Sequence, residues 1–268
     1  MADVTPSTTP RMGTLHGISL GPGDPGLITR AAWAALECRD AIWVYPVRSG
    51  KTPSYALDIV MRAGLPLPET HTPLLFPMTH DGEKLARAWL KAAQTVLPWL
   101  QAGREVLFLV EGDASTYATF GHLARTLRGL DERVPVRTIA GVNSFTAACP
   151  DLAEPFAQQD DTLPIVPAAY GVGAVDRLLP DFDTLVLMKI KPLIEDLLDW
   201  LEARDLLAGA HFVERVGALD ERRLSGPELL TLRGSKVSYL SLLIVKNPHR
   251  IRGERIKGCL KKTPEPVA

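Results

Sequence analysis

Three short loops of small and turn-forming residues, each following an apolar run, constrain the fold of this chain most strongly. The apolar runs are typical of buried strands, and in an open α/β sheet ligands bind outside the carboxyl ends of the strands. Three such loops in one chain therefore predict one composite pocket, and with it an enzyme or a small-molecule binder. The loops are GPGDP at 21–25, EGDASTY at 111–117 and AGVNSFTAA at 140–148.

Strand-like and helix-like patterns alternate through the first two-thirds of the chain, and this alternation predicts a parallel sheet. The predicted strands are 15–20, 41–46, 105–110 and 134–140. The predicted helices between them are 26–38, 78–102 and 116–130. Later strands at 163–167, 184–189, 210–215 and 237–246, with one helix at 193–207, predict a second, mixed sheet.

A polar stretch rich in Asp, Gln and Pro separates these two patterns and predicts a domain junction. We therefore expect a two-domain α/β fold, with a mainly parallel first sheet, a mixed second sheet and the active-site cleft between the domains. The predicted limits are a flexible N-terminal tail at 1–13, a first domain at 14–150, a junction at 151–162, a second domain at 163–258 and a C-terminal tail at 259–268.

The composition argues against several classes of partner. A net charge of -1 supplies no overall field for nucleic acid or anionic membranes. No apolar run approaches the roughly 18 residues of a membrane-spanning helix, and the polar first dozen residues do not resemble a signal peptide. Cys38, Cys149 and Cys259 lack CxxC spacing, so neither a disulfide framework nor a metal site is expected. We expect a cytoplasmic protein with no membrane or nucleic-acid partner.

The first loop formally satisfies G-x-G-x-x-G, the dinucleotide-binding fingerprint. Two observations weigh against that interpretation. Pro22 and Pro25 lack the N–H groups that would bind a pyrophosphate, and Asp24 would place a carboxylate beside the anion. A rigid loop that lets a large ligand approach fits better, with Asp24 as a polar anchor or as the cap of the next helix. A plain capping turn remains the alternative.

The second loop carries two carboxylates at a strand end. Glu111 and Asp113 suit a cationic ligand, a metal ion or ribose hydroxyls, and Gly112 permits close backbone approach. A metal is disfavoured because no histidine or second carboxylate pair lies nearby with ligand spacing. Thr116 either contacts a ligand or caps the following helix. Tyr117 either packs on a ligand or lines the core.

The third loop is small throughout and either lets a ligand lie against exposed N–H groups or packs a helix tightly on the sheet. The sequence shows no HxxxH, HExxH or G-x-S-x-G pattern and no nucleophile–base–acid set. That absence favours chemistry in which a reactive cosubstrate does the work.

The order of these loops, followed by VLMK at 186–189 and ERVG at 214–217, resembles the tetrapyrrole (uroporphyrinogen/precorrin) methylase family over about residues 14–246. More narrowly, FPMTHD at 76–81, the aromatic segment 115–120 and PAAYG at 167–171 are similar to the precorrin-2 C-20 methyltransferase branch. The chain departs from the family at Ala114 and Ala140, where proline is frequent, and each change loses rigidity rather than a functional group.

The resemblance implies a homodimer whose cosubstrate, S-adenosyl-L-methionine (SAM), lies in the cleft between the domains. The residues implied to bind SAM are Gly112, Asp113, Thr116, Ser144, Phe145, Met188, Glu214, Arg215 and the neighbourhood of Tyr239. The first loop would instead face the tetrapyrrole. The residues expected on that side are Gly23 and Asp24, with Arg48, Lys51 and Lys189, or Arg215, paired with the substrate's carboxylates.

The implied reaction is transfer of a methyl group from SAM to C-20 of precorrin-2, giving precorrin-3A in cobalamin biosynthesis. Asp24, Glu111 and Tyr117 are the candidates for accepting the proton that leaves C-20. Three alternatives stay open: a cobalt-containing factor II as substrate, a nicotinamide-dependent oxidoreductase that uses the first loop, and a tetrapyrrole carrier without catalysis.

Overall fold

The computed structural model describes residues 11–149 and 155–251, which divide into two compact units. The described residues up to 149 form the first unit together with Val213–Arg222, and the remaining described residues form the second. The predicted C-terminal tail with Cys259, most of the N-terminal tail and residues 151–154 of the junction lie outside the described residues. The predicted domain limits stay predictions.

The first unit is built on a parallel sheet, as predicted. Its strands are β1 (Leu15–Ser19), β2 (Ile42–Val47), β3 (His71–Leu75), β4 (Val106–Val110) and β5 (Val136–Ile139), in the order β3-β2-β4-β1-β5. Every pairing is parallel. Alternate residues of β4 belong to two different apolar clusters, one on each face, so the strand reads as an uninterrupted apolar run.

The described residues of this unit include the helices α1 (Arg30–Leu36), α2 (Tyr55–Arg62), α3 (Gly82–Gln101), α4 (Phe120–Leu130) and α5 (Ser144–Ala148). Residues of α3 and α4 pack with one face of β4, and residues of α1 and α2 pack with the other. Side chains of Thr29, Ser54 and Asp81 cap the first turns of α1, α2 and α3 by accepting backbone N–H groups.

Three predicted helices begin four residues later than the periodicity indicated. The helix predicted at 78–102 begins at Gly82, directly after its cap Asp81, and the other two delays also have a local cause. The helix predicted at 26–38 begins at Arg30, because Asp24 caps a single 3-10 turn at Pro25–Leu27 instead. The helix predicted at 116–130 begins at Phe120, because the backbone after β4 folds around the Asp113 carboxylate. The later starts leave both segments available as loops at the carboxyl edge of the sheet.

The second sheet is mixed, which confirms the predicted fold class. Its strands are β6 (Ile165–Pro167), β7 (Thr184–Met188), β8 (Ala210–Glu214), β9 (Arg222–Ser225) and β10 (Ser241–Lys246), in the order β6-β7-β10-β8-β9. β6 pairs parallel with β7, and β10 pairs antiparallel with β7. The helices α6 (Val172–Asp176) and α7 (Ile194–Ala203) contribute to its apolar core. The predicted strand at 237–246 was too long, since only Ser241–Lys246 is paired.

Within residues 11–149 and 155–251, no helix is long and apolar enough to cross a membrane. Within the same ranges, no group of His, Cys, Asp and Glu side chains is arranged to hold a metal ion. Cys38 and Cys149 form no disulfide within this part of the chain.

Candidate functional site

The three predicted loops follow β1, β4 and β5, which are adjacent strands in the order β4-β1-β5. Parallel strands end at the same edge of a sheet, so the loops lie side by side there. Backbone bonds join the first two directly. Gly21 N donates to Gly112 O at 3.2 Å, and Gly112 N donates to Gly21 O at 2.7 Å. Both glycines have φ 75°, a left-handed conformation that disfavours a side chain.

Asp113 joins the second loop to the third. One of its carboxylate oxygens accepts from Ser115 N at 2.8 Å and from the Ser115 and Thr116 hydroxyls, and the other accepts from Gly141 N at 2.7 Å. Burial raises the pKa of this carboxyl, but the hydrogen bonds outweigh burial and hold the pKa below its ordinary value. The carboxylate thus fixes the geometry of both loops.

The first loop is held from two sides. The Asp24 carboxylate accepts from Gly26 N at 2.8 Å, which is the capping role considered for it from sequence. A Cβ on Gly23 would lie 2.4 Å from Val216 O, so glycine is required there for the returning segment Val213–Arg222 to pack. Arg62 of α2 donates to Gly23 O. These contacts give the loop one conformation.

Glu111 directly follows β4, beside this framework. Burial raises the pKa of its carboxyl above the ordinary value, and the Arg48 guanidinium offsets part of that rise. Tyr117 is 49% exposed and has φ 51°, which is uncommon for a residue with a side chain. Of the three candidate proton acceptors, Asp24 and Tyr117 are exposed, whereas Glu111 is partly buried.

The predicted SAM residues of the third loop occupy the start of α5. Ser144 is the first residue of the helix and is partly exposed, whereas Phe145 is buried. At Gly112, no atom lies within 4 Å of the position that an added Cβ would occupy. A ligand can therefore approach the Gly112 backbone closely.

The returning segment Val213–Arg222 places further predicted residues in the first unit. Glu214 ends β8 and pairs with Arg222 at 2.8 Å. Arg215 has φ 56°, and its Nε lies 2.7 Å from Asp220 Oδ1. Its guanidinium carbon also lies 5.6 Å from the centroid of the Tyr55 ring.

Sequence reasoning missed Tyr55, Arg62 and Asp220. The available signal was the Ser54 cap followed by apolar residues at helical spacing, which marks the start of α2. Nothing in the sequence pattern indicated that Asp220 pairs with Arg215, because the pairing depends on the turn between β8 and β9.

The remaining predicted residues belong to other segments of the chain. Arg48 and Lys51 follow β2 and are exposed. Met188 ends β7 in the second unit, followed by Lys189 with φ 58°. Tyr239 is partly exposed and precedes β10. Their assignments as ligand-binding residues stay predictions.

Comparison with known proteins adds an independent observation. Residues 14–234 match the family of Tetrapyrrole (Corrin/Porphyrin) Methylases. "Cobalamin biosynthesis protein CobIJ" of Mycobacterium bovis is 28% identical over 247 residues, which are 89% of this chain and 47% of that protein. The chain thus spans about half the length of this curated relative. The "Probable cobalt-precorrin-2 C(20)-methyltransferase" of Methanocaldococcus jannaschii is 31% identical over 235 residues, 87% of this chain and 95% of that protein.

One solved structure shows the same fold. The uroporphyrin-III C-methyl transferase from Thermus thermophilus, complexed with S-adenyl homocysteine, superposes with a TM-score of 0.56. It is 22% identical, and the match covers 87% of this chain and 97% of that chain. The same fold is therefore found with a second, distant sequence.

Proposed function

Because this chain belongs to the tetrapyrrole (corrin/porphyrin) methylase family, we propose that it is a SAM-dependent methyltransferase acting on C-20 of precorrin-2. The product is precorrin-3A, an intermediate of cobalamin biosynthesis. The observation that carries the proposal is the similarity to the "Probable cobalt-precorrin-2 C(20)-methyltransferase" of Methanocaldococcus jannaschii. This similarity extends over 95% of that relative's length. The motifs shared with the C-20 branch support the same position on the ring.

The second and third loops fit SAM best. The open face of Gly112 permits close approach to the backbone, and Asp113 fixes the two loops against each other. The complex of the Thermus thermophilus relative with S-adenyl homocysteine supports SAM as cosubstrate. We assign Gly112, Thr116 and Ser144 to direct contact with SAM, and Asp113 to holding the loops that make this contact.

SAM supplies a methyl group that its sulfonium has already made electrophilic. The protein's part is to hold C-20 in line with that methyl, at about 3–3.5 Å. The electron pair of C-20 forms the new carbon–carbon bond, and the pair of the broken bond stays on sulfur. The C-20 proton then leaves, and its bonding pair returns to the ring.

We assign acceptance of that proton to Glu111. A carboxylate whose pKa is raised above the ordinary value is a stronger base than an ordinary carboxylate. Asp24 is engaged in capping Pro25–Leu27, and Tyr117 is half-exposed, so neither fits the task as well.

The substrate carries many carboxylates and requires cationic partners. Arg48, Lys51, Lys189 and Arg215 are the residues proposed for this pairing. We further propose a cytoplasmic homodimer, as the family resemblance implies, and sedimentation velocity of the purified chain tests the dimer.

The direct test is incubation with methyl-labelled SAM and precorrin-2. We expect label in the macrocycle at C-20, and a kcat at least about 100-fold lower in Glu111→Gln, because general bases contribute rate factors of this size. Glu132→Gln is the matched control, since Glu132 is an exposed glutamate of the same unit. Binding of SAM without transfer of label in the unmodified protein would refute the proposed activity.

The metal content of the substrate is the second question. The archaeal relative is named for a cobalt-containing ring, whereas we propose the metal-free one. Comparing kcat/KM for precorrin-2 and cobalt-precorrin-2 decides between them. A clear preference for cobalt-precorrin-2 would indicate that this protein acts in the anaerobic route of cobalamin biosynthesis.

A further inference from the structure

Tyr55 has no role in the sequence analysis, yet the structure places it against a predicted ligand residue. It is the first residue of α2, fixed there by the Ser54 side chain, which accepts from Leu57 N at 3.3 Å. The Arg215 guanidinium carbon lies 5.6 Å from the centroid of the Tyr55 ring. That distance is within the range of a cation–π interaction.

Arg215 is restrained in two other ways. Its backbone is left-handed, with φ 56°, and its Nε lies 2.7 Å from Asp220 Oδ1. The contact of Nε with Asp220 is an ion pair, and within 11–149 and 155–251 Nε makes no hydrogen bond. The two terminal nitrogens form the edge of the guanidinium that is suited to a bidentate carboxylate. The Arg215 side chain is 38% exposed, so this group is accessible to a ligand.

The position of Arg215 indicates which ligand it serves. The residues that follow it, Val216 to Ala218, pack directly against Gly23 of the first loop. The first loop is poorly suited to phosphate and is assigned to the tetrapyrrole side of the site. A fixed cation beside that loop suits one of the acid side chains on the macrocycle's rim.

We propose that Tyr55 and Asp220 are positioning residues that hold the Arg215 guanidinium as a receptor for a carboxylate of the tetrapyrrole substrate. The inference rests on the proposed function for its substrate class. It removes Arg215 from the group of SAM-binding residues predicted from sequence. It also separates two parts of Tyr55, the ring that contacts Arg215 and the hydroxyl that does not.

The hydroxyl of Tyr55 allows the test to distinguish the role of the ring from that of the hydroxyl. It is buried, and among residues 11–149 and 155–251 it has no hydrogen-bond partner. Burial and the charges of Glu111 and Asp220 raise its pKa to about 12, against the opposing effect of Arg215 and Arg62, so the hydroxyl is neutral at physiological pH. Removing it leaves the ring and its contact with Arg215 in place.

Three variants of the full chain test the proposal: Tyr55→Phe, Tyr55→Leu and Asp220→Asn. In Tyr55→Leu we expect the KM for the tetrapyrrole to rise about 3- to 30-fold, the range of a cation–π contact, with little change in kcat. Asp220→Asn should raise the same KM. Tyr55→Phe should behave as the unmodified protein, and the dissociation constant of S-adenosylhomocysteine by calorimetry should stay constant throughout.

A binding measurement keeps this test independent of turnover. Uroporphyrin III, a stable polycarboxylate tetrapyrrole, reports binding through quenching of protein fluorescence. If the unmodified protein binds uroporphyrin III but does not methylate precorrin-2, the proposed function fails while the receptor remains testable. Far-ultraviolet circular dichroism confirms folding of each variant, and Asp220→Asn supplies the answer if Tyr55→Leu does not fold.

Two results would overturn the inference. Equal losses in Tyr55→Phe and Tyr55→Leu would show that the hydroxyl, not the ring, is what matters. Weaker binding of S-adenosylhomocysteine with an unchanged KM for the tetrapyrrole would assign the receptor to the carboxylate of the cosubstrate.

Discussion

Glu111 and Asp113 follow β4 with one residue between them, and their environments shift the two carboxyl pKa values in opposite directions. Burial raises the pKa of Glu111, whereas hydrogen bonds from Ser115, Gly141 and Thr116 outweigh burial and lower that of Asp113. The sequence EGD shows two acids at a strand end and nothing that separates them. The separation comes from the tertiary structure, which buries Glu111 and brings the backbone N–H of Gly141, a residue distant in sequence, to Asp113. One acid therefore builds the site, and the other is available for chemistry.

Glu111→Gln should stabilise the fold at neutral pH. A carboxyl with a raised pKa in the folded state favours folding in its protonated form, so the free energy of unfolding falls as pH rises from the ordinary glutamate value of 4.5 through the raised value. Glutamine cannot ionise and avoids that loss. Urea unfolding from about pH 4 to pH 8 measures the difference between the two proteins.

The two proteins should be equally stable near pH 4 and diverge as pH rises. Glu132→Gln, the exposed control, should follow the unmodified protein at every pH. A wild-type advantage that grows with pH would mean that the Glu111 carboxylate is stabilised in the fold, contrary to its assigned environment.

At the scale of elements, the site depends on three loops meeting at one edge of the parallel sheet. The loops after β1 and β4 are joined by backbone hydrogen bonds, and those after β4 and β5 by the Asp113 carboxylate. Gly141 lies where all three approach. A Cβ there would stand 2.3 Å from Ser19 Cβ and 2.9 Å from Gly112 O, so any side chain forces the loops apart.

Gly141→Ala should therefore destabilise the protein by about 1–3 kcal/mol, the usual cost of overpacking, and weaken binding of S-adenosylhomocysteine. Gly129→Ala is the matched control. Gly129 lies exposed in α4 with nothing within 4 Å of its Cβ position, and alanine should stabilise that helix by about 0.5–1 kcal/mol. Chemical denaturation and calorimetry measure both effects, and a neutral Gly141→Ala would contradict the described approach of the loops.

Prediction of the elements from sequence succeeded where strands are buried on both faces. β1 and β4 were recognised because an apolar run between turn residues has few other interpretations. β3 was missed because it is an edge strand with a buried Leu74 among exposed or half-exposed neighbours and with Pro73 in its middle. α2 was also missed, and with it Tyr55, because its eight residues follow a segment of turn-forming residues.

The candidate site, like the helices and strands, could be predicted from the sequence only in part. The loops could be found, because their small residues mark the ends of strands. The partners of Arg215 could not, because the ring of Tyr55 and the carboxylate of Asp220 meet only after the chain has returned from β8. Such contacts depend on tertiary structure and leave no local pattern.

At the scale of the whole molecule, the described chain forms two compact units that do not follow a single break in sequence. The predicted domain limits place Arg215 in the second domain, whereas Val213–Arg222 groups with the first unit. Family similarity extends from residue 14 to residue 234 and so includes this returning segment. The proposed recognition of substrate by Arg215 would thus belong to the first unit.

Thermal unfolding tests the proposed cosubstrate on the intact chain. A ligand at 100 times its dissociation constant stabilises the folded state by about 2.7 kcal/mol, so S-adenosylhomocysteine should raise Tm by several degrees. NAD should not, because Pro22 and Pro25 lack donors and Asp24 adds negative charge to the first loop. A rise in Tm with NAD alone would instead favour the oxidoreductase alternative.

The paired hydrogen bonds between Gly21 and Gly112 have a consequence for engineering. They use main-chain atoms only, so they impose a fixed spacing between the two loops without dictating the side chains around them. Libraries that randomise Thr116 and Tyr117 while keeping both glycines and Asp24 should yield mostly folded proteins. These two backbone hydrogen bonds thereby keep the loops in place while ligand preference is altered by substitution of the side chains around them.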